Sequence, residues 1–282
     1  MTSPSTIAAA TWRHARIELR GHLTGWRLLA WAVMPFVMVI TVWTLSGTPV
    51  KSSTIDLAAY LLPGLITVCT TVTGMNSMIV QLASAEEDGS LLRAKSIPGA
   101  LAAHLWGEIC VVAALSLLPL VCYVAVMALA WPDLLPGNPL AWVTMIAVTG
   151  LGMLATFPVS VVIGAWCRRT LRSMMLSMVI YVLAALSGLF FPLSLLALWA
   201  QIPLQGLPFY WVGLGLRTTL LPADIVAVEV TQSWRLELTF VVLALWAIVG
   251  LALAPRALRH LSRRQSASVL AATRDRFLAR GY

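Results

Sequence analysis

The residues able to do chemistry are few and widely spaced. Glu86, Glu87 and Asp88 form an acidic cluster, followed at once by Gly89, Ser90, Leu91, Arg93, Lys95 and Pro98. Three acids, a glycine and a short basic-apolar stretch closed by proline describe a compact helix with its acids at the positive end of the helix dipole. Such a segment serves either as a charged turn or as a docking lever for a partner. Thr70, Thr73, Ser77, Gln81 and Ser84 recur at steps of three and four, which places them on one helix face; Thr67 and Thr71 lie nearby and Asn76 is slightly off the stripe. A polar face on an apolar helix avoids lipid and turns toward a neighbouring helix or a wet cavity, so helix packing and a substrate path both fit it. Ser177, Tyr181 and Ser187 supply a second, sparser set of hydroxyls. Glu108 is the one acid inside an apolar run. It can snorkel to the interface, pair with Arg93 or Lys95, or hold a proton or cation; pairing is the simplest of the three.

Nothing in this set converges as an enzyme site. Cys69, Cys110, Cys122 and Cys167 are scattered through apolar runs with no Cys-x-x-Cys pair, as small apolar fillers would be. His104 lies near Glu108, but one histidine and one carboxylate do not make a metal site, and no metal is expected. The two lysines, Lys51 and Lys95, follow Val50 and Ala94, so there is no Gly-Lys-[Ser/Thr] and no P-loop. No catalytic residues and no cofactor are expected in this chain.

The elements that must position these residues are helices in a bilayer. Of 282 residues, 60% are hydrophobic and 11% charged, with a mean hydropathy of +0.88. A soluble domain carries about 25% charged residues, so the solvent for most of this surface is lipid. The net charge of +8 sits in arginines flanking long apolar runs, which reads as membrane orientation and not as a nucleic-acid footprint. The expected class is an all-α integral membrane protein with six spans, at 28–48, 57–82, 105–131, 141–166, 173–192 and 236–255.

The charge-free stretch from Ser173 to Leu216 is long enough for two crossings, and the positive-inside rule decides between six spans and seven. With six and a cytoplasmic N-terminus, 16 of the 19 basic residues fall inside and only Lys51, Arg217 and Arg235 fall outside. A seventh crossing after Pro192 would place the arginines from Arg256 to Arg280 outside. Residues 193–216 therefore do not cross. Pro203, Gly206 and Pro208 break them into two short apolar helices, interfacial or re-entrant, and Trp199, Tyr210 and Trp211 suit that depth. Residues 7–26 are amphipathic, with Ala8, Trp12, Ala15, Leu19 and Trp26 on one face and Arg13, Arg16 and Arg20 beside it, as in a helix lying along the inner leaflet. This N-terminal stretch lacks the short apolar region and cleavage site of a secretory signal. Residues 256–282 form an arginine-rich cytoplasmic tail.

Two segments carry a family resemblance. Glu87, Gly89, Ser90, Leu91, Lys95 and Pro98 match the ABC-2-type permease pattern E-x-G-[ST]-L-x-x-L-[RK]-x-x-P, with Ala94 in place of the usual leucine. Ser187-Gly188-Leu189-Phe190-Phe191-Pro192-Leu193 resembles the same family's S-G-x-[FW]-[FY]-P-[ILM] signature at the outer end of the fifth span, although the proline that usually precedes the following tryptophan is replaced by Leu198. The resemblance covers the chain from interfacial helix to last span. It implies that 85–98, from Glu86 to Pro98, is a coupling helix docking on an ABC ATPase subunit, which would hold ATP and Mg²⁺. It implies a second permease chain, identical or homologous, and re-entrant helices after an extracellular gate at Ser187, Gly188, Phe190, Phe191 and Pro192. Thr70, Thr73, Ser77, Gln81, Ser177 and Tyr181 would line the substrate path. The implied function is the permease subunit of an exporter in the cell membrane, moving an amphipathic drug or antibiotic. A lipid or lipid-linked glycan is the alternative cargo, and a non-transporting structural or sensory subunit is the alternative of another class.

Overall fold

The computed structural model describes residues 4–22, 24, 27–48, 57–88, 100–130, 132, 135–167, 169–222, 225–226 and 229–279. Among them there is helix and no strand. Lipid offers no partner to a backbone N–H or C=O, so an apolar chain of this kind satisfies its backbone within helices. In chain order these are α1 (Pro4–His22), α2 (Arg27–Leu45), α3 (Leu57–Glu87), α4 (Ala100–Ala130), α5 (Pro139–Gly164), α6 (Thr170–Leu189), α7 (Leu198–Gln205), α8 (Pro208–Leu220) and α9 (Leu236–Ala279).

Five described stretches are long and apolar enough to cross a bilayer: Leu57–Glu87, Trp106–Leu129, Pro139–Gly164, Thr170–Leu189 and Leu236–Leu261. The first expected span, 28–48, falls on α2, whose described apolar part, Phe36–Leu45, is shorter. α3 is the central helix: 67% of its apolar window is buried, against 28% in α6 and 22% in α9. It packs against α2, α4, α5, α6 and α8, while α5 runs along α9 and α8. The main core joins Leu62 and Ile66 of α3, Val148 of α5, Val212 and Leu214 of α8 and Leu243 of α9, all essentially without solvent exposure.

Local signals set the helix ends. Asn138 caps α5, its side chain accepting from the Ala141 amide at 2.7 Å, with Pro139 in the first turn where a missing N–H costs nothing. α6 begins at Thr170 and ends at Leu189, three residues earlier at each end than the expected 173–192; its far end is set by Gly188, which turns to a positive φ of 79°. Pro255, the expected end of the last span, interrupts neither the apolar stretch of α9, which runs to Leu261, nor the helix, which continues to Ala279. α1 lies on α4, with Ala15 and Leu19 packed against Val111 and Leu115, while Trp12 of the same predicted face stays exposed; Trp26 lies outside the described residues.

The segment after α6 folds as the short helices α7 and α8, broken at Gly206–Leu207. At 8 and 13 residues they are about 12 and 20 Å long, too short for a hydrocarbon core of about 30 Å. The structure divides the three aromatic residues expected at the interface. Trp199 is 81% exposed, whereas Tyr210 and Trp211 are buried. Trp211 Nε1 donates to the Gln205 carbonyl at 2.6 Å, its ring meets Tyr210 edge-on, and the Arg235 guanidinium sits 5.5 Å from it. α8 is thus a core helix, buried from Pro208 to Arg217.

Candidate functional site

The hydroxyl-bearing candidates of α3 and α6 meet at one point of the seam between these two helices. There, Thr73 Oγ1 and Tyr181 Oη are 3.2 Å apart, a hydrogen bond across 108 positions of sequence. Ser77 and Ser177 are half-buried on the same two helices, and Ser177 Oγ donates to the Ser173 carbonyl at 2.9 Å. Thr70 behaves differently. It sits in a π turn, Val68–Val72, fully buried, and its hydroxyl donates back to the Ile66 carbonyl at 2.7 Å. Thr67 and Thr71 do the same to Pro63 and Thr67, at 2.8 and 2.6 Å. These three hydroxyls serve their own helix. Asn76 is buried with neither Nδ2 nor Oδ1 hydrogen-bonded among the described residues.

At one end of the seam, Glu87 closes α3 onto the start of α6. Its carboxylate accepts from the Thr170 amide at 3.0 Å and from the Thr170 hydroxyl at 2.5 Å. A carboxylate at a helix N-terminus meets unpaired N–H groups and the positive end of the dipole. The Thr170 hydroxyl and amide, with Arg169 adding charge, hold this exposed carboxyl below the ordinary carboxylate range. Glu86 and Asp88 lie beside it; Gly89, Ser90, Leu91, Arg93, Lys95 and Pro98 fall outside the described residues. Further back along α3 from Glu87, a small open cavity is walled by Met78, Gln81 and Leu82 of α3, Glu108 of α4, Val161 of α5 and Leu258 of α9. Apolar walls with one amide and one carboxylate suit an amphipathic guest better than a bare ion.

At the other end, α6 closes in a second π turn, Ala185–Leu189, with Ser187 and Gly188 off the helical path. The Ser187 hydroxyl donates to the Leu183 carbonyl at 2.6 Å, and Phe190, Phe191 and Pro192 follow half-buried. The turn sits on two glycines. A Cβ on Gly64 of α3 would collide with the Leu189 carbonyl, and one on Gly213 of α8 would meet the Leu189 side chain at 2.6 Å. Against this turn lies an ion pair that charge counting did not reveal: Arg217 of α8 bonds Glu229 at 2.7 Å, both side chains essentially buried.

These features fit a membrane helix bundle with two built ends and a polar seam, and residues 36–254 match the profile described as ABC-2 family transporter protein. The chain belongs to the ABC-2 transporter family. Its members are membrane transport components of ABC systems; such subunits are generally not catalytic themselves and typically work with an ABC ATPase subunit. This ABC-2 protein is accordingly multi-pass. A comparison with curated proteins returned no match.

Within the ABC-2 chain, the roles of four residues escaped the sequence reading. Thr170 is an ordinary helix-start residue until Glu87 is brought to it across 83 positions. Tyr60 lies under the Arg217 guanidinium, 5.5 Å from ring centroid to Cζ. Arg217 and Glu229 left one usable signal: a lone arginine ending an apolar stretch, with an acid 12 residues on.

Proposed function

We propose that this chain is the permease subunit of an ATP-driven exporter, taking an amphipathic drug or antibiotic out of the cell. One observation carries the reading: a mixed apolar-polar cavity at Gln81, the hydroxyl pair at Thr73 and the turn packed on Gly64 follow one another along α3. From Gln81 to Gly64 is 17 residues, about 25 Å of helix, close to the thickness of the hydrocarbon core. Guest molecules enter at the Gln81 and Glu108 end, pass the Thr73–Tyr181 seam and leave past Ser187–Pro192.

In this reading α2 is the first of six spans, α1 rests at the inner leaflet, and both termini are cytoplasmic, as the arginine distribution requires. Two permease chains assemble with two ATPase subunits, which hold ATP and Mg²⁺. The segment 85–98 docks there, and Glu87 transmits its movement to α6 through Thr170. ATP shifts the equilibrium only by as much as docking differs between the two states.

The test is transport by the purified permease with its ATPase subunit in proteoliposomes. ATP-dependent movement of a fluorescent amphipathic amine or antibiotic supports the reading. Movement of a labelled phospholipid alone transfers the function to lipid export. ATPase activity that no permease variant alters removes the transport role.

A further inference from the structure

The turn that ends α6 is held by a guanidinium. Arg217, in the last turn of α8, is 1% exposed. Its Nη1 donates to Glu229 Oε1 at 2.7 Å. Its Nη2 donates to the Gly188 carbonyl and, at 3.4 Å, to the Leu189 carbonyl. The final carbonyls of a helix have no donor four residues on, and burial denies them water, so they need one from elsewhere. The positive φ of Gly188 swings this turn off the helical path, and Arg217 supplies the missing N–H groups.

Three properties point past simple packing. A planar guanidinium with five N–H groups reaches a carboxylate and two carbonyls at once, whereas an ammonium is a compact point charge. Glu229 keeps the charge compensated whether or not the carbonyl bonds are made, so releasing the turn breaks only bonds to neutral acceptors. The network is also incompletely satisfied, since Arg217 Nε and Glu229 Oε2 have no hydrogen-bond partner among the described residues. A buried pair in that condition contributes little net stability.

We infer that Arg217 is the positioning residue of the α6 turn: a latch, anchored by Glu229, that holds Ser187–Pro192 closed against Gly64 and Gly213. This rests on the exporter reading only in treating that turn as the outer gate.

The test places a reporter thiol by Phe191→Cys in a chain whose four native cysteines are replaced by alanine, and follows labelling by a membrane-impermeant maleimide in vesicles without ATP. Arg217→Met with Glu229→Met removes both charges together, so no unpaired ion is left to unfold the chain. Arg217→Lys keeps the charge and its pairing with Glu229. Losing charged-donor bonds to the turn raises the open fraction, and hence the labelling rate, by about tenfold to a hundredfold in both variants. A double variant that melts with the parent and labels at the parent rate overturns the latch. Should the double variant fail to fold, Arg217→Lys decides on the same criterion. Adding the ATPase subunit and ATP to the parent separates the two readings. Labelling that Arg217 controls but ATP does not leaves the latch standing and removes the exporter gate. Labelling that ATP controls but Arg217 does not does the reverse.

Discussion

Thr73 of α3 and Tyr181 of α6 face each other as a hydroxyl pair, 3.2 Å apart, beside an apolar cluster that includes Val72, Met75 and Ile180. A neutral hydrogen bond of this kind contributes about 0.5–1.5 kcal/mol net, so the fold does not depend on it. Tyr181→Phe and Thr73→Val are expected to melt within a few degrees of the parent and to change the apparent KM or cargo preference for amphipathic probes. Equal kinetics for every probe would reduce the pair to packing.

The Glu87–Thr170 contact links the end of α3, where the proposed docking segment begins, to α6. Glu87→Lys is expected to fold, since the residue is exposed, yet to lose transport stimulation by ATP. Thr170→Val removes one of the two bonds and falls between parent and Glu87→Lys. Transport and ATPase stimulation that both survive charge reversal at Glu87 would end the coupling assignment.

The same contact has a pH signature. Because the folded carboxyl titrates below its unfolded value, its stabilisation is complete above the ordinary carboxylate range and is lost as pH falls through the folded value. Melting of the parent therefore declines with acidification partly through this group. Glu87→Gln is expected to shallow that acid limb, melting slightly below the parent at neutral pH and with it at low pH; identical limbs would show that the contact is not formed in solution.

Gly64 and Gly188 support one turn for different reasons. Gly64→Ala drives a methyl group into the Leu189 backbone, overpacking that typically costs about 1–3 kcal/mol. Gly188→Ala brings a Cβ to a tight 3.1 Å from Leu193 Cβ, which must give slightly, and has to hold a left-handed φ, at about 1–2 kcal/mol. Both should lower the melting temperature of the detergent-purified protein. Only Gly64→Ala should also displace α3 from α6, weakening the protection of the Thr73 region in hydrogen exchange.

Reporter fusions check the topology. A periplasm-active enzyme fused after Gln232, in the exposed turn before α9, is expected to be active, and a cytoplasm-active fluorophore fused after Tyr282 is expected to fluoresce. The opposite pattern would invert the six-span arrangement.

The helices and the break at Gly206–Leu207 were legible in the sequence because each depends on neighbours within a turn or two. The acids were expected to open a separate helix, whereas Glu86 and Glu87 form the last turn of α3 and Asp88 follows it, because the helix runs on past the apolar stretch. Thr70 was not. Its spacing puts it with Thr73 and Ser77, but the π turn at Val68–Val72 inserts an extra residue and the 3.6-residue count fails across it. Arg217 was misread for another reason. Counting charges assigns every arginine to an aqueous face, and only tertiary packing brings Glu229 and the Gly188 carbonyl to one that is buried. Tyr210 and Trp211 show the same limit, since an aromatic belt and an aromatic core have one composition.

The 44 residues of α9 make a rod of about 66 Å, and a bilayer core takes up about 30 Å of it. The remainder has to stand in water or lie along the headgroups, carrying the arginines that begin at Arg256. Because helix and span are one continuous piece, a pull on that basic shaft reaches α5 and α8 without passing through a loop. Whatever grips it outside the membrane holds a handle on the core.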